Sequence, residues 1–143
     1  MIRGVGVDVV EIARIERAFD RFGGRFLARV YGNREQEYSL TRSDPARHLA
    51  ARFAAKEAVM KVLGTGWARG VRWRDIELIR ASGEAPRLVL SGGALTLSRE
   101  QGISRWHVSV SHSGGMAVAF VIGEGEGDCV GRASPGHARG ECV

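Results

Sequence analysis

Lysine is nearly absent from this chain. Of 21 basic residues only Lys56 and Lys61 are lysines, and both fall in one segment; every other cation is an arginine. Cysteine is equally scarce. Cys129 and Cys142 stand near the C-terminal end, with no Cys or His at metal-ligand spacing, which argues against a zinc site. Long apolar runs are missing. The longest, Met116 to Ile122, is far short of the ~20 residues a membrane span needs. The N-terminus moves directly from Met1-Ile2-Arg3-Gly4 into a strand-like alternation, without a charged region and apolar block, so no secretory signal is expected. The expectation is a cytoplasmic protein with no membrane partner. Aromatic residues make up 7% and show no stacking pattern. That weighs against a nucleic-acid partner, although a pI near 10.0 favours anionic partners of some kind.

What is present reads as one domain over residues 1–123, followed by a glycine-rich, flexible tail over 124–143. The charge divides the same way. Residues 1–70 hold 13 Lys/Arg against 8 Asp/Glu, residues 71–123 hold 6 against 4, and the tail holds 2 against 4. Alternating valines predict a strand over 2–10. Ile12, Ile15, Phe19 and Phe22 then recur at helical spacing, and Gly23-Gly24 ends that helix. A short helix over 25–31 follows, then another that Asn33 can cap. Ser43-Asp44-Pro45 opens a long helix and Gly64 closes it. Strands are predicted over 75–80 and 87–90, a helix over 93–100, and a hairpin joining 106–112 to 116–122. This order favours an α+β fold, a mainly antiparallel sheet packed with a long helix.

The chemistry concentrates in Arg52-Phe53-Ala54-Ala55-Lys56-Glu57-Ala58-Val59-Met60-Lys61-Val62-Leu63-Gly64-Thr65-Gly66. Glu57 and Lys61 lie one helical turn apart. Such pairs commonly do no more than support a helix. Here, however, the apolar and alanine-rich surroundings predict a largely buried helix, whose charges must face a cleft or a partner. Asp8 interrupts the valines of the first strand. It reads either as a surface carboxylate or as a metal ligand that meets Glu57 when the long helix packs on that strand. Two carboxylates with substrate phosphate oxygens are a usual way to hold Mg²⁺. Gly64-Thr65-Gly66 can stop the helix or bring backbone N–H groups to a phosphate. His112 ends a strand rich in hydroxyls. Arg14, Arg17 and Arg21 form a stripe on the first helix, suited to an acidic helix.

Three blocks carry a resemblance to a known family. They are Gly4-Val-Gly-Val-Asp8-Val-Val-Glu11 with Arg14, Arg52-Phe-Ala-Ala-Lys56-Glu57 through Lys61 to Gly66, and Val108-Ser-Val-Ser-His112-Ser. Together they resemble the 4′-phosphopantetheinyl transferases of the short holo-acyl-carrier-protein synthase type. The resemblance implies transfer of the phosphopantetheine arm of coenzyme A to a serine of an apo acyl carrier protein, with release of adenosine 3′,5′-bisphosphate and use of Mg²⁺. It implies Asp8 and Glu57 as metal ligands, with Lys61 catalytic and on the phosphates. Arg52, Lys56, Gly64, Thr65, Gly66 and His112 would bind the co-substrate, and Arg14 and Arg21 would dock the carrier. It also implies a homotrimer in which His112 or its neighbours reach a site built mainly by another copy. The general base stays open between Glu57 and a carboxylate of the carrier. A basic nucleic-acid-binding module and a non-catalytic coenzyme A binder are the competing readings.

Overall fold

The long helix predicted from Asp44-Pro45 and Gly64 organises the fold. In a computed structural model, which describes residues 1–65 and 69–127, helix α4 runs Pro45–Leu63. Asp44 caps it by accepting the Arg47 N–H at 3.3 Å. Gly64 ends it with φ 73°, a left-handed conformation that costs glycine little. Thirteen of its 19 residues are buried, as expected of a helix covered on nearly every side.

Strand β1 (Ile2–Glu11) leads into α1 (Ile12–Phe22), α2 (Gly24–Val30) and α3 (Asn33–Leu40); α1 and α3 pack on α4, and α2 packs on α1. After α4 a 3-10 turn (Trp73–Asp75) enters β2 (Ile76–Ile79), β3 (Arg87–Leu90), α5 (Gly92–Glu100), β4 (Arg105–Ser113) and β5 (Met116–Glu124). Among the described residues all strand pairs are antiparallel, but they form two sheets rather than one. One is three-stranded in the order β1-β5-β4, the other the β2-β3 ribbon. Asn33 is the first residue of α3 and not its cap. The preceding Gly32 N–H is instead taken by Glu35 at 2.9 Å. The ordered unit also passes the expected boundary at 123. Met1 and Gly125 exchange backbone hydrogen bonds of 2.7 and 2.9 Å, and Arg3 donates to the Glu126 carbonyl at 2.9 Å. The remainder of the predicted tail, 128–143, lies outside the described residues.

Two glycines set how closely β1 meets α4. A Cβ at Gly6 would lie 2.1 Å from the Ala58 carbonyl oxygen, and one at Gly4 2.8 Å from Val62 Cγ1. Helix backbone therefore rests on strand backbone, with alanine and glycine at the seam. The opposite face of the sheet is apolar and uncovered: Val5, Val7 and Val9 alternate along β1, and Phe120 pairs with Val7 on β5.

A buried ion pair lies on the other side of α4. Lys56 and Glu35 are both fully buried, with Nζ 2.8 Å from Oε2. Lys56 also donates to the carbonyls of Trp73, at 3.1 Å, and Ile76. Glu35 accepts the N–H groups of Gly32 and Leu78, each at 2.9 Å. Every charge is thus paired and hydrogen-bonded, the condition under which burial is tolerable. This corrects the placement of Lys56 on the co-substrate: its ammonium is inside the protein, tying α4 to α3, the 3-10 turn and β2.

Candidate active site

The contact of β1 with α4 dictates where the acidic groups fall. Gly4 meets Val62 and Gly6 meets Ala58, so the two elements run in opposite directions. Two strand residues span ~6.7 Å and four helix residues ~6 Å, so the next strand position facing the helix, Asp8, arrives beside the turn that holds Glu57. Asp8 is 9% exposed. It lies close enough to the Glu57 carboxyl for the two to act on each other. Lys61 Nζ donates to Asp8 Oδ1 at 3.1 Å and to the Val7 carbonyl at 2.8 Å. The ion pair of Lys61 is therefore made across the two elements, with Asp8.

Burial, followed by the charge and hydrogen bond of Asp8, pushes the Glu57 carboxyl above the usual carboxylate range, while Arg14 and Lys61 oppose the shift. A divalent cation bound between the two carboxyls would favour their ionised forms, any proton on Glu57 leaving to solvent. The donor set suits a hard cation that completes its shell with phosphate oxygens and water. Among the described residues no group of three or more His, Cys, Asp or Glu that could hold a metal ion occurs; the neighbouring carboxyls of Asp8 and Glu57 could offer two ligands to one.

The expected nucleotide residues divide between two places. Gly64 and Thr65 follow Lys61 by one turn, but their N–H groups close on the Met60 carbonyl at 2.9 and 3.4 Å. They terminate the helix instead of offering amides to a phosphate. Gly66 lies outside the described residues. Arg52 and His112 meet in a separate cavity of about 190 Å³ formed by α3, α4, the β2–β3 ribbon and β4, together with Arg47, His48, Arg80 and Tyr38. Residues 52 and 57 project ~140° apart around a helix, so this cavity and the Asp8–Glu57 pair occupy different flanks of α4.

Arg14 and Arg21 are exposed on α1. The Arg14 guanidinium lies 5.9 Å from the Phe53 ring centre and its charge acts on Glu57, so the arginine stripe abuts the carboxylate pair. An apolar recess of about 240 Å³ opens beside it, lined by Arg14, Ala18, Phe26 and Phe53. Sequence reasoning did not find Glu35, His48 or the seam role of Gly6. The last had a visible signal, two glycines at strand period 2.

A family model described as the 4′-phosphopantetheinyl transferase superfamily matches residues 4–121. A protein of Anaeromyxobacter dehalogenans named holo-[acyl-carrier-protein] synthase is 50% identical over 130 residues, covering 89% of this chain and 99% of its own length. One of Koribacter versatilis with the same name is 46% identical, covering 85% and 98%. Among solved structures, the synthase of Neisseria meningitidis superposes with a TM-score of 0.79 at 35% identity, covering 87% of this chain and 99% of its own. That of Bacillus anthracis, solved in complex with CoA (3′,5′-ADP), gives 0.72 at 33% identity, covering 88% and 99%. The carboxylate pair, the motif helix and these likenesses agree: the chain belongs to the 4′-phosphopantetheinyl transferase superfamily, in its holo-acyl-carrier-protein synthase type.

Proposed function

We propose that this protein transfers the 4′-phosphopantetheine arm of coenzyme A to a serine of an apo acyl carrier protein, in a Mg²⁺-dependent reaction that releases adenosine 3′,5′-bisphosphate. The observation that carries the reading is the meeting of Asp8, Glu57 and Lys61 at the β1–α4 seam. The carrier serine oxygen bonds to the phosphorus that bears the pantetheine arm, its proton passing to Glu57 through a water or to a carboxylate of the carrier, and the bridging P–O bond to the adenosine phosphate breaks. Bound by Asp8 and Glu57, a divalent cation would neutralise pyrophosphate oxygens. Lys61, half-exposed and paired with Asp8, contacts the phosphates and protonates the departing one. Arg52 and His112 hold the nucleotide, and Arg14 and Arg21 receive the acidic face of the carrier. The apolar recess beside Arg14 suits a side chain projecting from that face, and its closeness to Glu57 supports delivery of the serine there.

The working unit is a homotrimer, whose copies bury the uncovered valines of β1 and Phe120 of β5. Association would let the Arg52–His112 cavity of one copy serve the carboxylate pair of another, which fits their placement on different flanks of α4. The reaction takes place in the cytoplasm without a nucleic-acid or membrane partner. Among the described residues no helix is long and apolar enough to cross a membrane. The test is the mass of an apo carrier protein incubated with the enzyme, coenzyme A and Mg²⁺. A gain of one phosphopantetheine is expected; tight coenzyme A binding with no gain would refute transfer.

A further inference from the structure

The cavity holding Arg52 and His112 is more cationic than contact with an uncharged nucleoside needs. Arg47, Arg52 and Arg80 supply three fixed charges, and His48 and His112 supply two imidazoles. Among the described residues no carboxylate lines it. The nearest acid acting on Arg52, Glu35, is committed to Lys56. Arg52 is 4% exposed, donates through Nη1 to the His48 carbonyl at 3.2 Å, and keeps a buried Nε with no partner. A buried guanidinium N–H without an acceptor costs stability unless a ligand supplies one. The groups present therefore call for a compact, multiply charged acceptor.

His48 is placed to respond to one. It sits one helical turn before Arg52 on the same face of α4. Its ring packs edge-on to Tyr38 of α3 at 5.7 Å. Tyr38 itself lies under the guanidinium groups of Arg42 and Arg52, 4.2 and 4.4 Å from its ring centre. The charged and titratable groups around His48 are thus Tyr38 from α3, Arg42 from the α3–α4 connection, Arg47 and Arg52 from α4, Arg80 after β2 and His112 from β4. Burial, then Arg52, Arg47, Arg42 and His112, hold its imidazole below the usual range.

We propose that His48 is a specificity-determining residue of the nucleotide site, which takes up a proton when a phosphomonoester dianion enters and so selects for the 3′-phosphate of coenzyme A, increasingly as pH falls. The proposal rests on the reading that the nucleotide of coenzyme A enters this cavity. The chemistry separates the candidate groups. A phosphomonoester carries nearly two charges at neutral pH and three acceptor oxygens. The pyrophosphate of coenzyme A is doubly esterified and has no comparable second ionisation. Entry of the dianion reverses the repulsion between His48 and its arginines, so the imidazolium becomes a donor beside Arg52.

The experiment is calorimetric titration with coenzyme A and with 3′-dephospho-coenzyme A at pH 6, 7 and 8, in buffers of different ionisation heat, for the wild type, His48→Phe and His112→Asn. Phenylalanine keeps the edge contact with Tyr38, His48→Gln serves as the second variant, and thermal denaturation checks each fold. In the wild type, coenzyme A should tighten about 3–10-fold relative to the dephospho form between pH 8 and 6, since one proton gives at most tenfold per pH unit. His48→Phe should bind fewer protons with coenzyme A than the wild type and lose that gain; the dephospho form should bind both alike. Wild-type proton uptake retained in both His48 variants, or lost in His112→Asn alone, overturns the role of His48. If coenzyme A and its dephospho form bind the wild type equally at every pH, the placement of the nucleotide fails instead.

Discussion

Replacing Lys56 by methionine separates the two roles the residue could have. Methionine keeps the length and apolar stem of the side chain but removes the ammonium. Glu35 would then face only the N–H groups of Gly32 and Leu78, and the carbonyls of Trp73 and Ile76 would lose a donor. Both partners have no solvent exposure, so water cannot compensate. Breaking a buried pair on one side costs about 3–5 kcal/mol. For a chain of this size that lowers the midpoint of thermal unfolding by roughly 10–15 °C. Glu35→Gln should cost a similar amount. The double variant should lose less than the sum of the singles by about 1–3 kcal/mol, because neither charge is then left unpaired. Urea unfolding followed by circular dichroism measures the stabilities, and coenzyme A titration on the folded fraction measures binding. A Lys56→Met protein with wild-type stability and weakened coenzyme A binding would refute the reasoning and return Lys56 to the nucleotide site.

Glu57→Gln should reduce carrier modification roughly 100-fold or more, in line with loss of a group acting on developing charge. The same variant should unfold at a higher temperature at pH 7. The raised Glu57 titration makes its ionised form a cost that appears as pH rises through the folded value, and glutamine removes it; unfolding of both proteins at pH 5 and 7 checks the sign. Gly6→Ala drives a methyl against the Ala58 carbonyl and should cost about 2 kcal/mol or more, with kcat falling at least about tenfold as Asp8 shifts from Glu57, which steady-state kinetics on the folded protein would show. Arg21→Glu should raise KM for the carrier about tenfold and leave KM for coenzyme A unchanged. It is a cleaner probe than Arg14, whose charge also acts on Glu57. Val7→Asp places a carboxylate on the uncovered sheet face, and sedimentation should show the 15.5 kDa chain in place of a species three times heavier.

The local signals in this sequence were strong enough to read. Asp44-Pro45 and Gly64 bound α4, the valine alternation marks β1, and Ser113-Gly114-Gly115 turns the β4–β5 hairpin; each rests on neighbours in the chain. The pairing of Asp8 with Glu57 was also legible, since a buried helix bearing a carboxylate must bring it to some polar group. What escaped depends on partners distant in the chain. Nothing near Lys56 announces Glu35, 21 positions earlier in a short polar helix, so a lysine in a charged motif reads as a ligand group. The glycines at 123–127 look like a loosening chain, yet Gly125 closes on Met1. The split into two sheets was hidden for the same reason, because hairpin signals do not say which hairpins share a ladder.

Consecutive residues on α4 serve unrelated surfaces. Lys56 points into the core and Glu57, ~100° further round, points at β1. Lys61 follows Glu57 one turn on, while Arg52 and His48 face the arginine cavity one and two turns before Lys56. The rotation of a single helix thus sets the positions of Glu57, Lys61 and the arginine cavity together. A 10° rotation displaces an atom at ~6 Å from the axis by ~1 Å. Misplacement of that size can cost about 100-fold in rate. Two features hold the angle: the backbone contact of Gly6 with Ala58 on one side and the Lys56–Glu35 pair on the other. An apolar pair in place of Lys56 and Glu35 could pack as well yet leave the helix free to turn by a few degrees. Helix orientation, measured as loss of kcat in an apolar Lys56→Met/Glu35→Leu double variant that keeps its stability, is the expected role of this pair.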